Sequence, residues 1–297
     1  MAFELRREES LRKGLRRIVQ EQLQGALEQA QQLARDEAIY DARKRLKRVR
    51  ALLQLVRPVV GKSRYRNEDH ALRDIARPLS ELRDAKVLIE TIGSVAQDDA
   101  LASVRQELTA RKRSLDERNP LDAAAASIQA ALGRVSAWTD VPNRWASVGK
   151  GLRRTYRQAR RAYRDAVRKP TVEQRHEWRK QAKYLRYQLE SLRPLRPELL
   201  EELAKQAEKL GDLLGNDHNL AVLRQTLPTV SGHGDHEEVL AVIDRRRDEL
   251  LQESCELAKH FFRDSPKQFE RRIKSYWKQR RHATENISAS VKNRRRE

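Results

Sequence analysis

Arg43 and Lys44 are adjacent, and Lys47 and Arg50 follow at three-residue spacings. The same pattern returns 136 residues later as Arg179, Lys180, Lys183 and Arg186. Guanidinium forks bind phosphate oxygens in pairs, and lysine ammoniums act as compact point charges. Residues of this type at this spacing could hold an anion with several oxygens. A second match precedes the first: Lys13-Gly14-Leu15-Arg16-Arg17 returns as Lys150-Gly151-Leu152-Arg153-Arg154, 137 residues on. Beyond it Arg157, Arg160, Arg161 and Arg164 extend the second copy. A third match sets Leu82-Arg83-Asp84 against Gly215-Asn216-Asp217. Three matches in one order at nearly one offset describe a structural unit used twice. Packing a core does not require that the repeated residues be cations.

A helix is the element that lines up such spacings. At 100° per residue, Arg43, Lys47, Arg50 and Gln54 fall on one stripe, and Ala42, Leu46, Val49, Leu53 and Val56 on an apolar one about 110° away. The second copy places His176, Arg179, Lys183, Arg186 and Glu190 beside Trp178, Ala182, Leu185, Leu189 and Leu192. Stacked like charges repel by a few tenths of a kcal/mol per pair. A solvated face is the ordinary fate of one such stripe. Its recurrence, with a charged stripe on the preceding helix each time, favours a groove. The first two helices of each copy are expected to face one shared cationic cavity.

His176-x-x-Arg179-Lys180-x-x-Lys183-x-x-Arg186-Tyr187-x-x-Glu190, followed by Leu210-Gly-Asp-Leu-Leu-Gly215-Asn216-Asp217, resembles the CHAD domain, the conserved-histidine α-helical domain. Arg43-x-x-x-Lys47-x-x-Arg50, followed by Leu79-x-x-Leu82-Arg83-Asp84, carries the same resemblance. The similarity runs from about residue 8 to 283. It implies two helical bundles related by a pseudo-twofold axis around a basic channel, inorganic polyphosphate as ligand and polyphosphate granules as location. By match, Arg43, Lys47, Arg50, His176, Arg179, Lys183 and Arg186 would line the channel. The first copy departs from the pattern, with Tyr40 where His176 stands in the second. A tyrosine can donate to phosphate but cannot carry positive charge, so the two halves are not expected to be equivalent.

Around these residues the chain reads as all-α. Glycine and proline are few, and alternating β-branched runs are absent. Helices are expected at 8–34, 37–57, 67–92, 99–118, 121–138, 146–168, 172–193, 197–226, 236–263 and 266–283. Breaks are expected at Pro58–Gly61, Asn119-Pro120, Lys169-Pro170 and Ser231–Asp235, with a kink at Pro78. The repeats divide at about residue 140, giving 1–140 and 141–285, and 286–297 read as a disordered basic tail. Asp84 and Asp217 are expected as structural supports, either paired to arginines or capping a helix or turn. His218 could face the cavity, and its role stays open.

Lys and Arg total 63 against 43 Asp and Glu, a net charge of +20, which implies an anionic partner. Cys255 is the lone cysteine, so no intramolecular disulfide or zinc ribbon is expected. The opening residues are charged and no run approaches about 18 apolar residues, so a cytoplasmic protein without a membrane span is expected. His233-Gly-Asp-His236-Glu-Glu238 superficially suggests a metal, but a glycine-rich loop does not preorganise ligands. No phosphate loop, H-E-x-x-H, G-x-S-x-G or Glu-x-Glu-x-Lys/Arg signature occurs. The expectation is therefore non-catalytic binding, without metal or cofactor. Two alternatives remain at this stage: a sequence-nonspecific nucleic-acid binder and an enzyme of polyphosphate metabolism. Aromatic content of 5% leaves few stacking platforms for single strands.

Overall fold

The computed structural model describes residues 3–6, 8–95, 101–230 and 237–294, with side chains through Arg280 except that of Val230. The described residues form ten α-helices and no strand. These are α1 (Leu11–Gln32), α2 (Arg35–Val60), α3 (Lys62–Val95), α4 (Ala102–Glu117), α5 (Pro120–Thr139), α6 (Ala146–Arg168), α7 (Val172–Leu192), α8 (Pro197–Val230), α9 (Glu237–Phe261) and α10 (Pro266–Arg294). A 3₁₀ turn, Arg193–Leu195, joins α7 to α8.

Local chemistry sets most of the boundaries. Ser10 Oγ accepts from the Lys13 amide and Thr171 Oγ1 from the Gln174 amide, capping α1 and α7. α2 stops at Gly61, whose φ of 91° suits only glycine well. Asn119 turns the chain at φ 49° and Pro120 starts α5 with its angle preset. Ser265 and Gln268 exchange hydrogen bonds across the start of α10. The expected break at Ser231–Asp235 and the His233–His236 loop lie outside the described residues.

Two expectations need correction. Gly215-Asn216-Asp217 is not a turn or a cap, because it lies inside α8. Gly211 and Gly215 face the cationic side chains of α7: a Cβ there would stand in ordinary contact, 3.4 Å from Lys183 Cγ and 3.5 Å from Arg179 Nε. Helix α10 continues to Arg294, so the backbone of 286–294 is helical where a disordered tail was expected. Extending an existing helix needs no new nucleus, and this stretch lacks glycine and proline. Helix α3 runs through Pro78 and α8 through Pro228 without ending.

Helices α1, α2, α3 and α5 pack together, as do α6, α7, α8 and α10 with α9, and α2 lies against both α6 and α7. The main core takes residues from both halves, so the repeats share one interior. All ten apolar positions read from the two stripes are buried in it. At the α2–α6 crossing a Cβ on Gly151 would sit 1.7 Å from the Leu55 carbonyl oxygen. Only glycine allows that approach. The other half is built differently. There Leu5 donates its amide to the Ser191 carbonyl at 3.0 Å, and Gly14 packs on Leu5 and Glu9. A smaller core joins the far ends of α3 and α8 to α4 and α9. No helix among the described residues is long and apolar enough to cross a membrane.

Candidate anion-binding site

Helices α2 and α7 pack side by side, with α3 and α8 flanking them. That arrangement brings Arg43 and Lys47 together with Arg179 and Lys183. The Arg43 side chain is only 11% exposed, and its guanidinium reaches Asp84 Oδ1 at 3.3 Å and the Ser80 carbonyl at 3.3 Å. Asp84 itself is 65% exposed, so water already solvates much of its charge. Burial, with Arg43, Lys183 and Arg179 close by, pushes the Lys47 ammonium down to about 7. Burial and the Arg179 charge push Lys183 down to about 8, with Asp212 opposing. Burial also lowers Arg179, partly offset by Asp84 and reinforced by Arg43. These directions share one cause: cations are held in a dry place with too little negative charge.

His176 and His218 stand at the same cleft, ring centroids 4.8 Å apart. Burial, then Arg179, His176 and Lys183, drive His218 down to about 4, which leaves it neutral at pH 7. His176 is lowered too, by burial and by Arg179 and Lys180. Three buried nitrogens in the cleft lack a hydrogen-bond partner: Arg43 Nε, Arg179 Nε and His218 Nδ1. Buried polar groups are ordinarily satisfied. An anion with several oxygens would supply both the acceptors and the charge.

The other residues on the two stripes are engaged elsewhere. Arg50 Nε donates to the buried Asp69 at 2.9 Å and its guanidinium faces the Tyr184 ring. Arg186 is paired with Glu190 and Glu208, both at 2.6 Å. Lys180 pairs with Glu177, and Lys44 is half-buried. Tyr40 is 54% exposed beneath the Arg83 guanidinium.

The single cavity shared by the first two helices of each copy is not what forms. The strongest charges acting on Lys47 and Lys183 all come from α2, α3, α7 and α8. On α1, Arg17 is tied to Glu9, to Glu21 and to the Glu4 carbonyl, while Arg16 is half-buried and Lys13 exposed. On α6, Lys150 is exposed, Arg153 is half-buried, and Arg154 lies near Arg57 and Arg157. The physical reason is the packing of α6. Its apolar face, from Leu152 through Ala159 to Ala166, goes into the core, which turns Arg157, Arg161 and Arg164 outward.

Asp84 and Asp217 both take arginines, in different ways. Asp217 is buried and accepts from Arg175 at 2.7 Å and Arg247 at 3.1 Å, tying α7, α8 and α9 together. Sequence reasoning missed Arg175, Arg247 and Asp212. Arg175 falls off the stripe by one residue, Asp212 stands three residues before the matched Gly215 on α8, and Arg247 lies on α9, which carries no repeated motif. Periodicity alone does not reveal such partners.

A comparison with curated proteins found no match to this sequence. The crystal structure of the CHAD domain from the plant Ricinus communis superposes with a TM-score of 0.60 at 17% sequence identity, covering 89% of this chain and 95% of that one. At that identity the likeness concerns the fold. The family model for the CHAD domain matches residues 17–228, which include both cationic stripes. The chain belongs to the CHAD domain family.

Proposed function

We propose that this protein binds inorganic polyphosphate without catalysis, in the cleft between α2 and α7, and associates with polyphosphate granules through that binding. The observation carrying this reading is the group Arg43, Lys47, Arg179 and Lys183, crowded enough to bring Lys47 down to about 7. A site so arranged is costly when empty. Phosphate oxygens offset the mutual repulsion and satisfy the orphaned guanidinium nitrogens. Linear phosphate presents repeated charge with no bases to recognise, which suits a cleft built of cations with two neutral histidines beside it. The sequence offers no signature of phosphoryl transfer, so binding is the whole proposed activity.

The test is a pair of variants titrated with polyphosphate at physiological salt. Arg179→Ala with Lys183→Ala is expected to weaken binding at least about tenfold, on the scale of two charge-assisted contacts at roughly 1.5–3 kcal/mol each. Neutralising Arg294, Arg295 and Arg296 together is expected to do less. Greater loss in the second variant, with both shown folded by circular dichroism, would place the ligand elsewhere.

A further inference from the structure

A second cationic feature lies apart from the cleft. On the outer face of α6, Arg157, Arg160, Arg161, Arg164 and Arg168 line a groove of about 450 Å³ closed on one side by Pro266, the first residue of α10. The one carboxylate in its lining is Asp165. Asp165 reaches Arg161 at 3.5 Å and Arg168 at 3.4 Å, and both arginines remain more than four-fifths exposed. Five guanidiniums against one carboxylate leave the lining at +4 (5 − 1). Arg160 is anchored, its Nε donating to the Phe262 carbonyl at 3.0 Å. Arg157 and Arg164 are exposed and have no ion pair among the described residues.

Folding gives no reason for this row. Exposed like charges at helical spacing repel one another, and the groove holds no acidic partner beyond Asp165. From Arg157 to Arg168 the row spans about 16 Å of helix, longer than a compact anion and open along its length. The arginines are not isolated from the cleft helices. Arg154, three residues before Arg157 on α6, is lowered by burial and by the charges of Arg57 and Arg157, and Arg57 stands on α2 about 15 Å of helix beyond Lys47. The groove's lining contains no aromatic side chain, so nothing in it would stack on a base.

We infer that this α6 groove is a second docking track for a linear phosphate chain, engaged by long chains that also occupy the α2–α7 cleft. The inference rests on the proposed function. It adds a length selectivity: a short chain fills the cleft alone, while a long one gains the groove at high effective concentration.

The experiment titrates the full chain with tripolyphosphate, with long-chain polyphosphate and with duplex DNA over a range of salt. Wild type is compared with a variant carrying Arg157→Gln, Arg164→Gln and Arg168→Gln, three exposed changes that circular dichroism should show folded. Expected is unchanged tripolyphosphate affinity, about tenfold weaker long-chain binding and a slope of log affinity against log salt smaller by about 2, from three lost phosphate contacts. Unchanged long-chain affinity and slope would overturn the inference. So would an equal loss for both chain lengths, or loss of DNA binding with long-chain binding intact. Failure of wild type to bind either polyphosphate would bring down the proposed function as well, and is distinguished by the tripolyphosphate arm.

Discussion

Lys47→Met should make the ligand-free protein more stable and the binding site worse. Lys47 falls from 10.5 in the free side chain to about 7 in the fold, for want of water and counter-charge. A group depressed in this way costs stability wherever it must stay protonated. Below pH 7 both folded and unfolded states carry the proton and the cost is full. Between pH 7 and 10.5 the unfolded chain binds more protons, so stability rises with pH and the cost shrinks. The drop of about 3.5 (10.5 to about 7) caps the effect at about 5 kcal/mol. Replacement of poorly compensated buried charge by apolar side chains usually returns less, about 1–4 kcal/mol. We therefore expect Lys47→Met to gain about 2 kcal/mol at pH 6, or roughly 3 °C in Tm for a chain of this length, and little at pH 10. Thermal unfolding followed by circular dichroism at both pH values measures this. The same variant should lose polyphosphate affinity about tenfold, the scale of one charge-assisted contact. A variant less stable than wild type at pH 6, or one that binds as tightly, would refute the reasoning.

Three further outcomes follow from the same structure. Asp217→Asn leaves Arg175 and Arg247 short of their shared buried counter-charge, and should lower stability by about 3 kcal/mol with an unchanged slope in urea unfolding. Gly151→Ala places a methyl group against the Leu55 carbonyl, where backbone meets backbone, and should cost about 3 kcal/mol in the same assay. Bound phosphate favours the protonated lysines and histidine, so binding takes up protons and affinity should rise as pH falls. Lys183 and Lys47 govern the window from about pH 10 to 7, and His176, itself lowered, acts below about 6.5. Calorimetry on His176→Gln should show the upper window intact and the lower one flattened. Loss of the whole dependence would deny the lysines their part.

Much of this architecture was legible in the residues. The 3.6-residue period placed α2 and α7 and both of their faces, because burial of Leu46, Leu53, Leu185 and Leu189 leaves little freedom in the helix orientation. The repeat paired Arg43 and Lys47 with Arg179 and Lys183 before any geometry was available. What periodicity could not show was which cations are answered. Arg50 and Arg186 share the stripe with Lys47 and Lys183 yet are paired; Glu190 stands on that same stripe four residues beyond Arg186, but Asp69 and Glu208 reach in from α3 and α8. Nor did it show that Leu5 takes the place on α7 that Gly151 opens for α6 on α2. That difference follows from the segment before α1, which has no counterpart in the repeat. The outward turn of the α6 arginines likewise depended on which face the core claimed.

The most direct test of the central claim is a crystal structure of the protein soaked with a short polyphosphate. The account predicts phosphate density between α2 and α7, within hydrogen-bond distance of Arg43, Lys47, Arg179 and Lys183, with new acceptors on Arg43 Nε and Arg179 Nε. Density confined to other surfaces, with this cleft empty and its side chains unmoved, would contradict it.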